Sequence, residues 1–213
     1  MNKSDLILIG GGGHCKSVID VIETESKYNI IGILDVPGMI GKDLFGYKII
    51  GTDQDIHNLI NKGASFLVTI GHISSPEKRI NIYGKLKELD APLAKVISPM
   101  AYVSKNSEIG EGTIIMHHAF VNTGVRIGAN CIINTKALIE HEVSIGNHCH
   151  ISTGTVINGG CTVKDGCFIG SNSVLIQGIE VGRNSLVGAG AVVLKNMEDS
   201  QKIAGNPGRK LSI

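Results

Sequence analysis

Residues 127–151 read IGANCIINTKALIEHEVSIGNHCHI, with isoleucine at 127, 133, 139, 145 and 151. The period of six continues outward in both directions, back through Val121 to Ile97 and on through Ile169 and Leu175 to Val193. An aliphatic residue stands at all 17 positions. A helix repeats every 3.6 residues and a half-buried strand every two, so neither gives a strict six. A parallel β-helix does, because each hexad forms one short side of a coil and sends its aliphatic residue inward. Four residues further on lies a second inward position, small almost throughout: Ala101, Thr113, Ala119, Cys131, Ala137, Cys149, Thr155, Cys167, Ser173. A wide residue paired with a narrow one, repeated, fills a thin triangular prism. Glycine follows the aliphatic residue at 110, 128, 146, 170, 182 and 188, where the expected role is to turn a corner at unusual φ.

Composition agrees with that prism. Hydrophobic residues make up 42% of the 213, enough for a sizeable core, yet aromatics are only 4% and tryptophan is absent, as a narrow interior requires. Twenty Lys and Arg against 19 Asp and Glu leave a formal charge of +1, which gives no reason to expect nucleic acid or a membrane surface as partner. There is no cleavable hydrophobic N-terminal segment and no apolar run near the ~20 residues of a membrane span, so a soluble cytoplasmic protein is expected. Four of the five cysteines (131, 149, 161, 167) occupy the small inward position, and no CxxC pair occurs. They read as buried reduced thiols acting as small apolar residues, and no metal site is expected.

Residues 1–94 have a different grain, alternating strand and helix patterns that form a Rossmann-like α/β unit ahead of a solenoid over 95–213. Strands are expected over 6–9, 30–35 and 66–70, with a shorter one over 47–50. Helices are expected over 16–25, 53–62 and 77–89. Residues 10–14, GGGGH, join the first strand to the first helix, and Asp35 closes the second strand. Backbone N–H groups at such a junction suit a phosphate, and an acid about 20 residues on suits a ribose hydroxyl. The dinucleotide spacing is only partly met, since Cys15 stands where a third glycine belongs, which points to a nucleotide-containing ligand rather than NAD. A purely structural turn is the alternative.

His141 lies between Glu140 and Glu142, and the flanking Ile139 and Val143 hold the inward positions. Its ring is therefore expected to point outward from a face of the prism. A carboxylate beside an imidazole fixes the tautomer and raises basicity, as a general base near neutral pH requires. A solvated polar face is the alternative. Asn134, His148 and His150 lie nearby in the sequence, while His117 and His118 read as surface or trimer-face residues.

The glycine–histidine loop, the hexads, the segment Ile139, Glu140, His141, Glu142 and the tail Ala204, Gly205, Asn206, Pro207 together resemble the NeuD/PglD-like family of hexapeptide-repeat sugar O- and N-acyltransferases. The resemblance implies a left-handed β-helix and a homotrimer with active sites between adjacent prisms. It also implies acetyl-CoA as donor and a nucleotide-linked amino sugar, or a sialic acid, as acceptor. By position, His141 is similar to the family's general base and Glu142 to the acid behind it. Gly12, Gly13 and His14 match the loop that holds the nucleotide-sugar phosphates, and Asp35 the contact to the nucleoside. Gly71 and Asn134 fall on the substrate side. His150, Ser171 and Ala189 fall along the acetyl-CoA track, and Gly159 matches the glycine whose N–H meets the thioester carbonyl.

The expected chemistry is direct attack without a covalent intermediate, since the solenoid cysteines point inward and no Ser-His-Asp order is visible. A phosphate anchor in the N-terminal unit favours the amine of a nucleotide-linked 4-amino-4,6-dideoxy sugar over sialic acid O-acetylation. The nucleotide (UDP, GDP, dTDP or CMP) is left open. Two further classes compete. One is a γ-carbonic-anhydrase-like metalloenzyme using three of His117, His118, His141, His148 and His150. The other is a non-catalytic solenoid that binds nucleotide sugars.

Overall fold

Leu6, Ile7, Leu8 and Ile9 are apolar in succession, the pattern of a strand covered on both sides, and all four are buried. The computed structural model, which describes residues 3–211, places them on an interior strand of the N-terminal sheet. Its strands are β1 (Ser4–Ile9), β2 (Tyr28–Leu34), β3 (Asp43–Leu44), β4 (Tyr47–Gly51) and β5 (Ser65–Val68), in the order β3-β4-β2-β1-β5. All pairings are parallel except the β3–β4 hairpin. Helix α1 (Gly13–Glu25) covers one side of the sheet, while α2 (Ile56–Ile60) and α3 (Glu77–Glu88) cover the other.

Three boundaries differ from the sequence expectation. α1 begins at Gly13, so His14 lies in its first turn and not in the loop. The helix expected over 53–62 is a 3-10 turn at Asp53–Asp55, closed by a Thr52–Asp55 capping box, followed by only five α-helical residues. β5 stops at Val68, because Thr69 uses its hydroxyl on the carbonyls of Ile9 and Gly10 (3.0 and 2.7 Å) and turns the chain out of the sheet.

From Val96 the chain winds as a left-handed β-helix with three hexads per coil and three parallel sheets. One, the domain face, runs through Val96–Ile97, Ile114–Ile115, Ile132–Ile133, His150–Ile151, Phe168–Ile169 and Leu186–Val187, and the tail pairs onto it through Lys202–Ala204. The second, the apolar face, runs from Tyr102–Val103 through Phe120–Val121, Leu138–Ile139, Val156–Ile157 and Val174–Leu175 to Val192–Val193. The third, the polar face, presents Glu108, Arg126, Ser144, Thr162 and Glu180 outward. Inward aliphatics from Ile115 to Val193 form one continuous core. α1 packs Val18, Ile19, Val21 and Ile22 in one cluster with Val96, Ile114 and Met116, which seats the N-terminal unit on the domain face.

The glycines after the aliphatic positions serve a different purpose from the one expected. The left-handed corner falls two residues later, at Asn130, Glu142 or Gly160 for example. The glycine itself is needed for close approach between coils: a Cβ on Gly170 would lie 2.6 Å from the Ala189 nitrogen and the Val187 carbonyl. The inward cysteines also do more than fill space. Cys131, Cys149, Cys161 and Cys167 donate their thiols to the carbonyls of Gly146, Lys164, Ile176 and Gly182 at 3.0–3.1 Å. Thr113 and Thr155 make the same bond to Gly128 and Gly170. Each of these carbonyls follows an aliphatic residue one coil on, so the narrow position is a donor column as well as a small one.

Candidate functional site

His141 sits on a corner and not on a flat face. The backbone leaves the apolar face at Leu138–Ile139, turns through residues 140–143 and joins the polar face at Ser144–Ile145. The ring is half-exposed, with 49% of its side-chain surface accessible, and Nδ1 stands 3.3 Å from Glu142 Oε2. That contact favours Nδ1–H and leaves the Nε2 lone pair outward. Glu142 reaches it because its own backbone takes the left-handed corner, at φ 59°. Glu140 faces elsewhere, accepting from Asn122 Nδ2 at 2.7 Å. One coil up, Gly159 leaves the ring room: a Cβ there would come within 2.6 Å of Cε1 and Nε2.

Asn134, Ser171 and Ala189 occupy a different edge, where the domain face turns into the apolar face. Asn134 Nδ2 meets His150 Nε2 at 3.2 Å, and Ser171 Oγ meets Ser152 Oγ at 2.8 Å. His150 is on the domain face itself, under the N-terminal unit, where Nδ1 donates to the His72 carbonyl at 2.8 Å. The residues read as one site therefore separate into two groups, and the full width of the apolar face lies between them.

In the N-terminal unit, Gly12 caps α1 and Gly13 opens it, and a side chain at either would meet nothing within 4 Å. Asp35 Oδ2 accepts from Gly11 N–H (2.6 Å) and Oδ1 from Val36 N–H (2.7 Å). Gly10, Asp35, Val36, Thr52, Gln54 and Lys78 line a cavity of about 310 Å³. It opens beyond the carboxyl ends of β1, β2 and β5, and the strand order reverses between β1 and β5, the usual ligand crevice of such sheets. Gly12, Gly13 and His14 are not part of its lining.

The His14 ring lies 6.3 Å from that of His150, with Gly71 against its Cβ. Burial, reinforced by Arg79 and His150, lowers its pKa to about 3, so the ring is neutral and offers no cation to a phosphate. A phosphate contact from this ring would be a neutral N–H donation and not an ion pair. His150 is lowered to about 4, chiefly by burial.

Two residues at this junction escaped the sequence reading. His72, 7% exposed, packs edge-on to His150 at 5.5 Å and is lowered to about 3 by burial and by the charges of His150 and Arg79. Arg79 is fully buried and donates to the carbonyls of Val68 (2.6 Å), Ile70 (2.9 Å) and Asn130 (3.1 Å), which ties β5 and α3 to the solenoid. Neither leaves a pattern in the sequence. His117 links the solenoid to α1: Nδ1 meets Ser98 Oγ at 2.6 Å and Nε2 meets Asp20 at 2.8 Å. Among the described residues no group of three His, Cys, Asp or Glu is placed to hold a metal ion.

Comparison with known proteins follows the same division. Residues 5–86 match the PglD N-terminal domain. Residues 106–141 match the bacterial transferase hexapeptide (six repeats), and 162–195 the hexapeptide repeat of succinyl-transferase. No curated protein matches the sequence significantly. Among solved structures, a histidine-to-asparagine variant of perosamine N-acetyltransferase from Caulobacter crescentus, in complex with CoA and GDP-perosamine, has a TM-score of 0.91 at 28% identity. The match covers 99% of this chain and 98% of that one. The acetyltransferase domain of PglB from Neisseria gonorrhoeae FA1090 gives 0.90 at 28%, covering 98% and 100%. WeeI from Acinetobacter baumannii AYE gives 0.88 at 22% over 98% and 100%, a likeness of fold. The chain thus joins a PglD N-terminal domain to hexapeptide-transferase coils, the same combination over nearly its whole length as the sugar N-acetyltransferases it is similar to.

Proposed function

We propose that this chain transfers the acetyl group of acetyl-CoA to the amine of a nucleotide-linked 4-amino-4,6-dideoxy sugar, with His141 as general base. One observation carries the reading: a half-exposed imidazole on a solenoid corner, Nδ1 on a carboxylate and Nε2 free over a bare glycine. The Caulobacter crescentus and Neisseria gonorrhoeae neighbours are acetyltransferases solved with CoA or acetyl-CoA, and the first also with GDP-perosamine. In this reading the sugar amine attacks the thioester carbonyl, a C–N bond forms and the C–S bond breaks. His141 Nε2 takes the proton released by the attacking nitrogen, and Glu142 stabilises the imidazolium that results. The Gly159 N–H donates to the developing oxyanion. The thiolate departs with CoA.

We assign nucleotide-sugar binding to the unit ending at residue 94 and transfer to the solenoid after it. The crevice beside Asp35 takes the nucleoside, and the free N–H groups at Gly12 and Gly13 take the diphosphate. Both substrates are cytoplasmic metabolites, and five free cysteines fit a reducing compartment.

The three faces support a homotrimer. The N-terminal unit covers one, and charged and hydroxyl residues solvate another. The third shows Tyr102, Phe120, Leu138, Val156, Val174 and Val192 in a single outward column. Tyr102 and Phe120 stack at 4.8 Å while 56% and 37% exposed, an apolar stripe suited to burial against further copies. In that assembly the His141 edge of one subunit faces the Asn134, Ser171 and Ala189 edge of its neighbour.

His141→Ala is expected to cut kcat by roughly 10²–10⁴-fold with acetyl-CoA affinity little changed, because a general base acts in the transition state. A kcat within about three-fold of the parent would remove His141 from the role.

A further inference from the structure

Two residues after each inward aliphatic, at the corner of every hexad, the chain carries a side chain: Glu111, Thr123, Thr135, Asn147 and Asp165 are examples. Of the 17 such positions between Pro99 and Lys195, 159 alone is glycine. Backbone conformation does not explain it. The left-handed residue of this corner is the next one, Gly160 at φ +69°, and Gly159 itself lies outside the positive-φ region. Packing against the backbone does not explain it either, since the three nearest atoms a Cβ would meet are Cε1 (2.6 Å), Nε2 (2.6 Å) and Cδ2 (3.2 Å), all of the His141 ring. His141 is 18 residues earlier, one coil below, and the Gly160 N–H bonds to its carbonyl at 3.0 Å.

We infer that Gly159 is a positioning residue for the base: its missing side chain is the seat on which the His141 imidazole lies. The inference rests on the reading of His141 as base. The ring leans along the solenoid axis onto the Gly159 Cα, and Glu142 holds Nδ1 from the other side. The seat thus selects the rotamer in which Nδ1 can reach the carboxylate and Nε2 lies beside the Gly159 backbone, where the thioester carbonyl is placed in the mechanism above. A methyl group at 159 pushes the ring off that rotamer, breaks the 3.3 Å contact to Glu142 and releases the tautomer. The backbone N–H of residue 159 is kept.

Gly159→Ala tests this with a double-mutant cycle. The substitution is compatible with the backbone, so the folded trimer is expected with Tm near the parent. In the otherwise native chain kcat should fall roughly 10- to 100-fold, the size expected when a reacting group moves by about an ångström. The KM for acetyl-CoA should stay within about two-fold. The ¹⁵N shifts of the His141 ring should move from the Nδ1–H toward the Nε2–H tautomer. On a His141→Ala background the same change should lower residual kcat by markedly less than it does in the native chain, because no ring remains to be seated. An equal loss in both backgrounds would overturn the inference and assign Gly159 a role independent of the ring, as would native kcat and an unchanged ¹⁵N tautomer in Gly159→Ala. If His141→Ala alone keeps activity, the base assignment fails, and the tautomer shift still reports on the seat.

Discussion

Asn134 and His141 stand on opposite edges of one face of the prism, separated by the single strand Leu138–Ile139. Asn134 follows the last residue of the domain face and reaches back to His150, whereas His141 follows the apolar face and turns away with Glu142. In the proposed trimer the two edges meet across a subunit boundary, so a complete site is expected to need a second copy against the apolar face.

Subunit mixing reads that directly. His141→Ala and Gly13→Val variants, each impaired alone when assayed well below the Gly13→Val KM for the nucleotide sugar, should regain activity when unfolded together and refolded. About a quarter of the native value is expected if each site draws one edge from each of two neighbours in a closed ring. No recovery in mixed assemblies would place both groups in one chain.

The open space around Gly13 makes a selective block possible. A Cβ there would meet nothing within 4 Å, so a valine is expected to leave the fold intact, with its isopropyl group at the entrance to the α1 N-terminus. The KM for the nucleotide sugar should rise by at least about ten-fold while that for acetyl-CoA stays within about two-fold. Equal losses for both substrates would make the loop structural.

His14, His72 and His150 are held by burial at about 3, about 3 and about 4, against an ordinary 6.5. All three stay neutral in the folded chain and take up protons on unfolding below 6.5, so the unfolded state binds more protons there and stability rises with pH. Their contribution is fully present above 6.5 and is lost as the pH falls toward 4, at up to ~1.4 kcal/mol per pH unit for each ring. Urea midpoints followed from about pH 7.5 to about pH 5 should drop steadily, and His72→Gln should flatten the slope by about one ring's share. Flat midpoints across that range would contradict the buried-imidazole junction.

How much of this was legible in the chain depends on whether periodicity carried it. The aliphatic series from Ile97 to Val193 specified the coils without help from tertiary contacts, because each hexad repeats the same local demand. The same series hid the split of the site: Asn134 and His141 are close in sequence, yet seven residues carry the chain past one face to the next edge. The glycines at 128 and 170 were misread because their constraint comes from the coil above and not from their own φ. Arg79 was invisible for a related reason. Its three acceptors are backbone carbonyls from β5, the turn after it and the solenoid, and carbonyls have no sequence signature. His14 carried a sound signal, the glycine loop, but α1 starts one residue before it and turns its ring toward the solenoid.

The central claim is acetyl transfer from acetyl-CoA to an amine on a nucleotide-linked sugar, and thiol release against matched acceptors tests it most directly. The acceptors are nucleotide-linked 4-amino-4,6-dideoxy sugars on UDP, GDP, dTDP and CMP carriers, their 4-hydroxy counterparts, and free sialic acid. The account predicts rapid release of CoA thiol with one of the amino sugars, an acetamido product by mass spectrometry, and turnover with its hydroxyl counterpart lower by at least about 10²-fold. Faster release with free sialic acid than with any nucleotide-linked amino sugar would contradict it and move the chain to O-acetylation.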